Sequence, residues 1–222
     1  MQQRRLVRTK TRAVVVDYVL EELFEGRLKS GDRIDLDEVC EALGVSRLPV
    51  REAIVMLERD GIVSTKYHRG VYVEPFDAES IMDDFEIMGV LSGIALRRLT
   101  DKRDSETIAA LQRLVDELRS ADPEDGERVF ELVQQIITLE HRAGGSRRLR
   151  AELRSYQGFL PQAFRVGAGR NHADTVRAHD LVVRAIAEGD GEQAARHRLE
   201  DFRDAGERVV RELERRGVLS GA

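Results

Sequence analysis

Arg47 and Arg51 stand four residues apart in the stretch Gly44-Val45-Ser46-Arg47-Leu48-Pro49-Val50-Arg51, a spacing that puts both guanidinium groups on one side of a helix. Each carries five N–H donors in a rigid fork and could grip a guanine edge or a phosphate. On the other side Val50, Ile54 and Leu57 recur at helical spacing, so the helix buries one stripe and exposes its arginines. Gly44 closes a preceding helix, Ser46 caps the new one, and Pro49 falls in its first turn, where a missing N–H is tolerated. The preceding helix, Asp35 to Leu43, turns Leu36, Val39, Cys40 and Leu43 inward. Behind the arginines, Gly61 to Val73 reads as two β runs flanking a basic turn with Lys66, His68 and Arg69, closed by Gly70. A helix-turn-helix followed by a basic hairpin is a winged DNA-binding unit, with its second helix in the major groove. The expected contacts with double-stranded DNA are Ser46, Arg47, Leu48, Pro49 and Arg51 from the helix start, and Lys66, His68, Arg69 and Gly70 from the wing.

The 222 residues suffice for two domains, and 35% charged against 5% aromatic residues suits a helical, solvent-laced chain. A formal net charge of -5 is compatible with DNA binding because distribution matters more than the sum. Arg4, Arg5, Arg8, Lys10 and Arg12 all precede the first acidic residue, Asp17, giving a basic amino-terminal arm that is either a DNA contact or a solubilising tail. Pro75 follows the wing and helical periodicity starts at Glu79, so the boundary is placed between domains 1–76 and 77–222. The single cysteine, Cys40, excludes an internal disulfide framework and fits a reducing cytoplasm. No apolar run reaches the length of a membrane span, and the charged start lacks the apolar core of a signal peptide. The expectation is a cytoplasmic protein that engages no membrane.

Gly26 to Val73 resembles the winged helix-turn-helix of the GntR family of bacterial transcription regulators. Its carrying pieces are Gly26 to Ile34, Leu43 to Arg47, Pro49 to Ala53, Gly61 and Arg69-Gly70. The helical remainder is similar to the FCD (FadR C-terminal) ligand-binding domain. Two positions depart from the common pattern. Leu48 stands where a threonine is usual, exchanging a polar contact for an apolar one such as a thymine methyl. Asp37 stands where an arginine often touches DNA, which puts a carboxylate near phosphates.

Six helical patterns fill the second domain, roughly 79–100, 104–120, 126–143, 147–168, 171–188 and 191–216, punctuated by Gly144-Gly145, Gly167-Ala168-Gly169 and Gly189-Asp190-Gly191. Short connections predict an antiparallel bundle. The fold class expected is therefore mainly α, a winged helix-turn-helix with a small β wing followed by an all-α antiparallel bundle. In many FCD domains an aspartate, a histidine four residues later and two further histidines hold a divalent metal. The resemblance places Val133 and Ile137 at the first two of these positions, His179 at the third and Asp201 at the fourth. Two of four ligands are then hydrocarbon, so no metal cofactor is expected; His141, His179 and Asp201 are the weak candidates for a shifted site. Met88 and Ser92 occupy places where an arginine and a glutamate are frequent. The effector site is expected to comprise Met88, Ser92, Val133, Ile137, His179 and Asp201, and to take a partly apolar acid or acyl compound. His179 has two readings, a hydrogen-bonded core residue or a ligand contact partnered by Asp201, and if it is protonated it would favour an anion. His172, one helical repeat earlier, enters the same cavity or faces solvent.

No Ser-His-Asp order, paired-carboxylate spacing or phosphate-binding loop points to an enzyme. The resemblance implies a ligand-responsive repressor, acting as a homodimer on a short pseudopalindromic operator and released or retuned by a small-molecule metabolite. The alternative is a constitutive DNA-binding regulator whose helical domain only dimerises.

Overall fold

The computed structural model describes residues 2–59, 61–67, 69–74, 77–155 and 170–219, with side chains from Thr11 onward. His68, the boundary residue Pro75, the side chains of Arg4, Arg5, Arg8 and Lys10, and the later part of the fourth helical pattern lie outside the described residues. Nine helices and three short strands make up the described chain. They fall into two compact units, one running to Ser80 and also taking in the chain from Arg211, the other lying between Ile81 and Val210.

The first unit opens with α1 (Gln2–Phe24). The expectation here is only a basic arm and no helix; that arm is the start of α1. Val15, Val16, Val19, Leu20, Leu23 and Phe24 are buried in pairs four apart, the stripe a helix needs to pack on a neighbour. That neighbour is α3 (Arg47–Arg59), which buries Pro49, Val50, Ala53, Ile54 and Leu57. Between them lies α2 (Leu36–Leu43). Asp35 caps it, accepting from the N–H of Asp37 at 2.9 Å, and Gly44 ends it at φ 62°. The N–H of Val45 then returns to the Cys40 carbonyl at 3.0 Å, satisfying a carbonyl at the helix end. The wing strands β2 (Val63–Lys66) and β3 (Gly70–Val73) pair antiparallel with Lys66 opposite Gly70. A third strand, β1 (Arg33–Ile34), adds to β3 with Arg33 opposite Tyr72. Two residues carry no alternation, so only its partner defines it.

The second unit is helical, made of α4 (Ala78–Lys102) from Ile81 on, α5 (Ser105–Ser120), α6 (Gly126–Gly144), α7 (Arg147–Ser155), α8 (His172–Glu188) and α9 (Gly191–Arg215) as far as Val210. Asp104, Asp125 and Asn171 cap α5, α6 and α8 with their side-chain oxygens, and Gly189 closes α8 at φ 86°. Leu96, Leu111, Leu118, Leu132, Ile136, Val182 and Ile186 fill one apolar core, with α5 packed on α6 and α8. Gly144 has a second role besides ending α6. A Cβ there would collide with the Ala95 carbonyl, so the missing side chain lets α6 approach the backbone of α4. No described helix is long and apolar enough to cross a membrane.

Candidate functional site

On the first unit, the start of α3 exposes Ser46, Arg47, Leu48 and Arg51, with Leu48 52% exposed although apolar. Pro49 is buried, so it shapes the helix start and presents no surface. Arg47 does not project freely. Its Nε donates to Asp37 Oδ1 at 2.9 Å and its Nη2 to Asp37 Oδ2 at 2.8 Å, both side chains remaining more than half exposed. The Asp37 carboxylate, expected to face phosphates, is thus turned onto the arginine. Arg33, Asp35, Asp37, Arg47, Arg51 and Gly70 border one recess of about 250 Å³ between the helix pair and the wing. Arg33 was not anticipated as part of this surface, because its place comes only from β1 joining β3. Gly70 sits at φ 111°, and a Cβ there would lie 2.9 Å from Arg33 Nε, so glycine serves both the turn and the close approach.

The wing is braced on α3 by the Thr65 N–H, which donates to Glu58 Oε1 at 2.8 Å. Lys66 Nζ lies 4.6 Å from the Tyr72 ring centroid, and the Tyr72 hydroxyl donates to the Arg69 carbonyl at 3.1 Å. Lys66, Tyr67 and Arg69 are exposed at the tip. The arrangement offers cations from helix and wing to a polyanion, with Leu48 as an apolar contact on the same helix start.

In the second unit, Met88, Ser92, Ile137 and His179 are buried, Val133 is half-buried against the apolar core, and the Asp201 side chain is 10% exposed. What joins His179 and Asp201 is Arg198, which was not expected from the sequence. This fully buried guanidinium donates from Nη2 to Glu140 Oε1 at 2.6 Å and from Nη1 to Asp201 Oδ2 at 2.7 Å. Nη1 also lies 3.3 Å from His179 Nδ1. Arg170 takes the other Asp201 oxygen, at 2.5 Å. His141 is buried too, with Nε2 2.8 Å from Ser92 Oγ. His172 opens α8, and both of its ring nitrogens are buried without a hydrogen-bond partner among the described residues. The expected direct His179–Asp201 partnership is replaced by a shared guanidinium.

A guanidinium can only donate, so His179 accepts at Nδ1 and is neutral. Burial and the Arg198 charge push His179 down to about 3 and His141 down to about 4. Protonation of His179, the condition under which it would favour an anion, is opposed by that environment. Asp201, against the opposing effect of burial, is held at about 2 by His179, Arg198 and Arg170. Burial pushes Glu140 up while Arg198 pulls it back, and Glu140 Oε2 and Arg198 Nε have no hydrogen-bond partner among the described residues. The signal was present: Ala194, Arg198 and Phe202 run four apart on α9, as do Leu132, Ile136 and Glu140 on α6, which places opposite charges on inward stripes.

The residues here do not fit the divalent metal of related domains. Val133 and Ile137 offer no lone pair, both Asp201 oxygens are held by arginines, and His179 Nδ1 faces a cation. Among the described residues no group of three or more metal-ligating side chains comes together.

Residues 11–73 match the family described as bacterial regulatory proteins, gntR family, and residues 83–203 match the FCD domain. An uncharacterized HTH-type transcriptional regulator of Mycobacterium tuberculosis is 32% identical over 95% of this chain and 85% of its own length. The chain belongs to the GntR family of bacterial regulatory proteins, with an FCD domain. It is a DNA-binding transcriptional regulator and not an enzyme. A probable D-xylose utilization operon transcriptional repressor of Paenarthrobacter nicotinovorans is 33% identical over 42% of each chain. The crystal structure of a GntR family member from Pseudomonas syringae pv. tomato shares the fold, with a TM-score of 0.56 at 22% identity over 92% of this chain and 86% of that one.

Proposed function

We propose that this GntR-family regulator is a cytoplasmic, ligand-responsive repressor that binds a short pseudopalindromic operator as a homodimer. The observation that carries the reading is the buried polar cluster of Ser92, Glu140, His141, His179, Arg198 and Asp201, which draws on α4, α6, α8 and α9 of an FCD domain. Burying that many polar groups costs stability even when they are paired, a cost accounted for if the cluster serves recognition. The similarity to a xylose-operon repressor supports the sign of regulation. The effector is a partly apolar acid or acyl compound, bound without a metal and oriented by neutral His179. Binding would bias the placement of the two reading heads and so change operator affinity.

Selection of bound duplexes from a randomised pool gives the operator, and sedimentation gives the stoichiometry. A metabolite panel screened by thermal shift, then by release of the selected duplex, tests the effector. The reading expects two chains per duplex and at least one compound that both stabilises and releases. A second reading is favoured by the charge closure of the cluster, in which two arginines face two carboxylates. In that reading the helical domain only dimerises, and no compound in the panel does either.

A further inference from the structure

We propose that Asp37 is a positioning residue for DNA readout, holding the Arg47 guanidinium so that its free edge forks onto a guanine. This inference rests on the reading of α3 as the helix that faces the major groove. Arg47 is the first residue of α3 and Asp37 lies in the first turn of α2, ten residues earlier. Asp37 engages Nε at 2.9 Å and Nη2 at 2.8 Å, the side-on edge of the guanidinium. Five N–H donors are available, and this grip uses two. Of the three that remain, one on Nη1 and one on Nη2 form the end-on edge, which matches the O6 and N7 acceptors of guanine. The carboxylate therefore leaves the reading edge open while removing the rotational freedom of a long side chain.

The pair is not explained as a stabilising bridge. Its side chains are 68% and 63% exposed, and pairs in that setting contribute little to folding. A carboxylate beside Arg33, Arg47 and Arg51 in the same recess also weakens attraction for phosphate. Asp37 thus trades general affinity for discrimination, and that trade gives it a signature. Removing it should loosen base choice while leaving, or raising, affinity for unselected DNA.

The test uses the full chain and the duplex recovered from a randomised pool, with each guanine in turn replaced by adenine. Wild type, Asp37→Asn, Arg47→Ala and the double variant are titrated against every duplex, after melting curves confirm folding. Arg47→Ala should abolish the preference at one base pair in each half-site. Asp37→Asn should reduce the preference at that same base pair on the order of tenfold, the scale of a bidentate contact that has lost its alignment. It should leave affinity for the unselected pool unchanged or tighter, and the double variant should be no less specific than Arg47→Ala. Undiminished discrimination in Asp37→Asn overturns the proposal. Tighter binding of the selected duplex with the same base preference also overturns it, because Asp37 would then be withholding Arg47. Unchanged base preference in Arg47→Ala would instead remove the underlying reading of α3.

Discussion

Arg198 and Arg47 are both arginines gripped by carboxylates, yet burial gives them different consequences. Around Arg47 water screens the pair, so its value lies in orientation. Around Arg198 the charges are out of water, and removing one partner strands another. Arg198→Met, close in length and apolar, should therefore cost roughly 3–5 kcal/mol of unfolding free energy by leaving Glu140 and Asp201 without their shared cation. Urea titration at neutral pH checks this, and a loss under 1 kcal/mol would show that the cluster is wet and weakly coupled. The buried imidazoles add a pH dependence. Their ordinary value of 6.5 lies above the folded values of about 3 for His179 and about 4 for His141, so below 6.5 the unfolded chain binds more protons. Stability is full above pH 6.5 and is lost as pH falls, each histidine contributing a slope of about 1.4 kcal/mol per pH unit down to its folded value. Asp201 adds its own loss only below 3.8, whereas Glu140, pushed up by burial, acts in the opposite sense. Urea midpoints at pH 7.5 and 5 should differ accordingly in wild type and less in His179→Gln; equal midpoints in wild type would contradict buried, neutral imidazoles.

At the scale of elements, the wing and α3 act as one surface because β2 is tied to α3 through Thr65 and Glu58 and β3 is closed by Arg33 against Gly70. On the proposed reading, Lys66 and Arg69 would meet phosphates at a distance set by α3. Replacing both with alanine should weaken binding to every duplex and reduce the slope of log affinity against log salt by about 0.9 per lost phosphate contact. A loss confined to one sequence, with the slope intact, would mean that the hairpin reads bases. His68 falls between these two residues in the chain but outside the described residues, so the expectation rests on the flanking pair.

For the molecule as a whole, the expectation of a metal-free effector domain is a statement about charge. The positions that the resemblance to FCD domains assigns to metal ligands hold two aliphatic side chains, a histidine facing a guanidinium and an aspartate already engaged by two. Protein purified without chelator should contain no stoichiometric zinc, nickel or manganese, and neither added zinc nor chelator should move its melting temperature. One ion per chain, lost in His179→Ala, would require the cluster to rearrange around a cation and would bring His141 back as a ligand.

The reading head was legible in the amino-acid sequence because its signals are local. Asp35 and Gly44 bound α2, the Val50, Ile54 and Leu57 stripe orients α3, and the alternation around Gly70 makes a hairpin, each within a few residues of its cause. The same holds for the helices of the second unit, whose caps Asp104 and Asn171 are the side chains that satisfy their first N–H groups. Tertiary structure decided what depends on partners distant in the chain. Strand β1 exists only through β3, whereas the valine and leucine stripe of α1 is already periodic in the sequence and tertiary structure adds only the α3 surface that covers it. The Asp37–Arg47 grip spans two helices, so residue types alone placed Asp37 against phosphate when it turns to arginine. Glu140 and Arg198 are 58 residues apart, so although Arg198 and Asp201 stand three apart on α9, nothing along either helix reveals that Glu140 joins them. Hydrophobic periodicity can show that a charge points inward; which opposite charge it meets there is settled by how the helices pack.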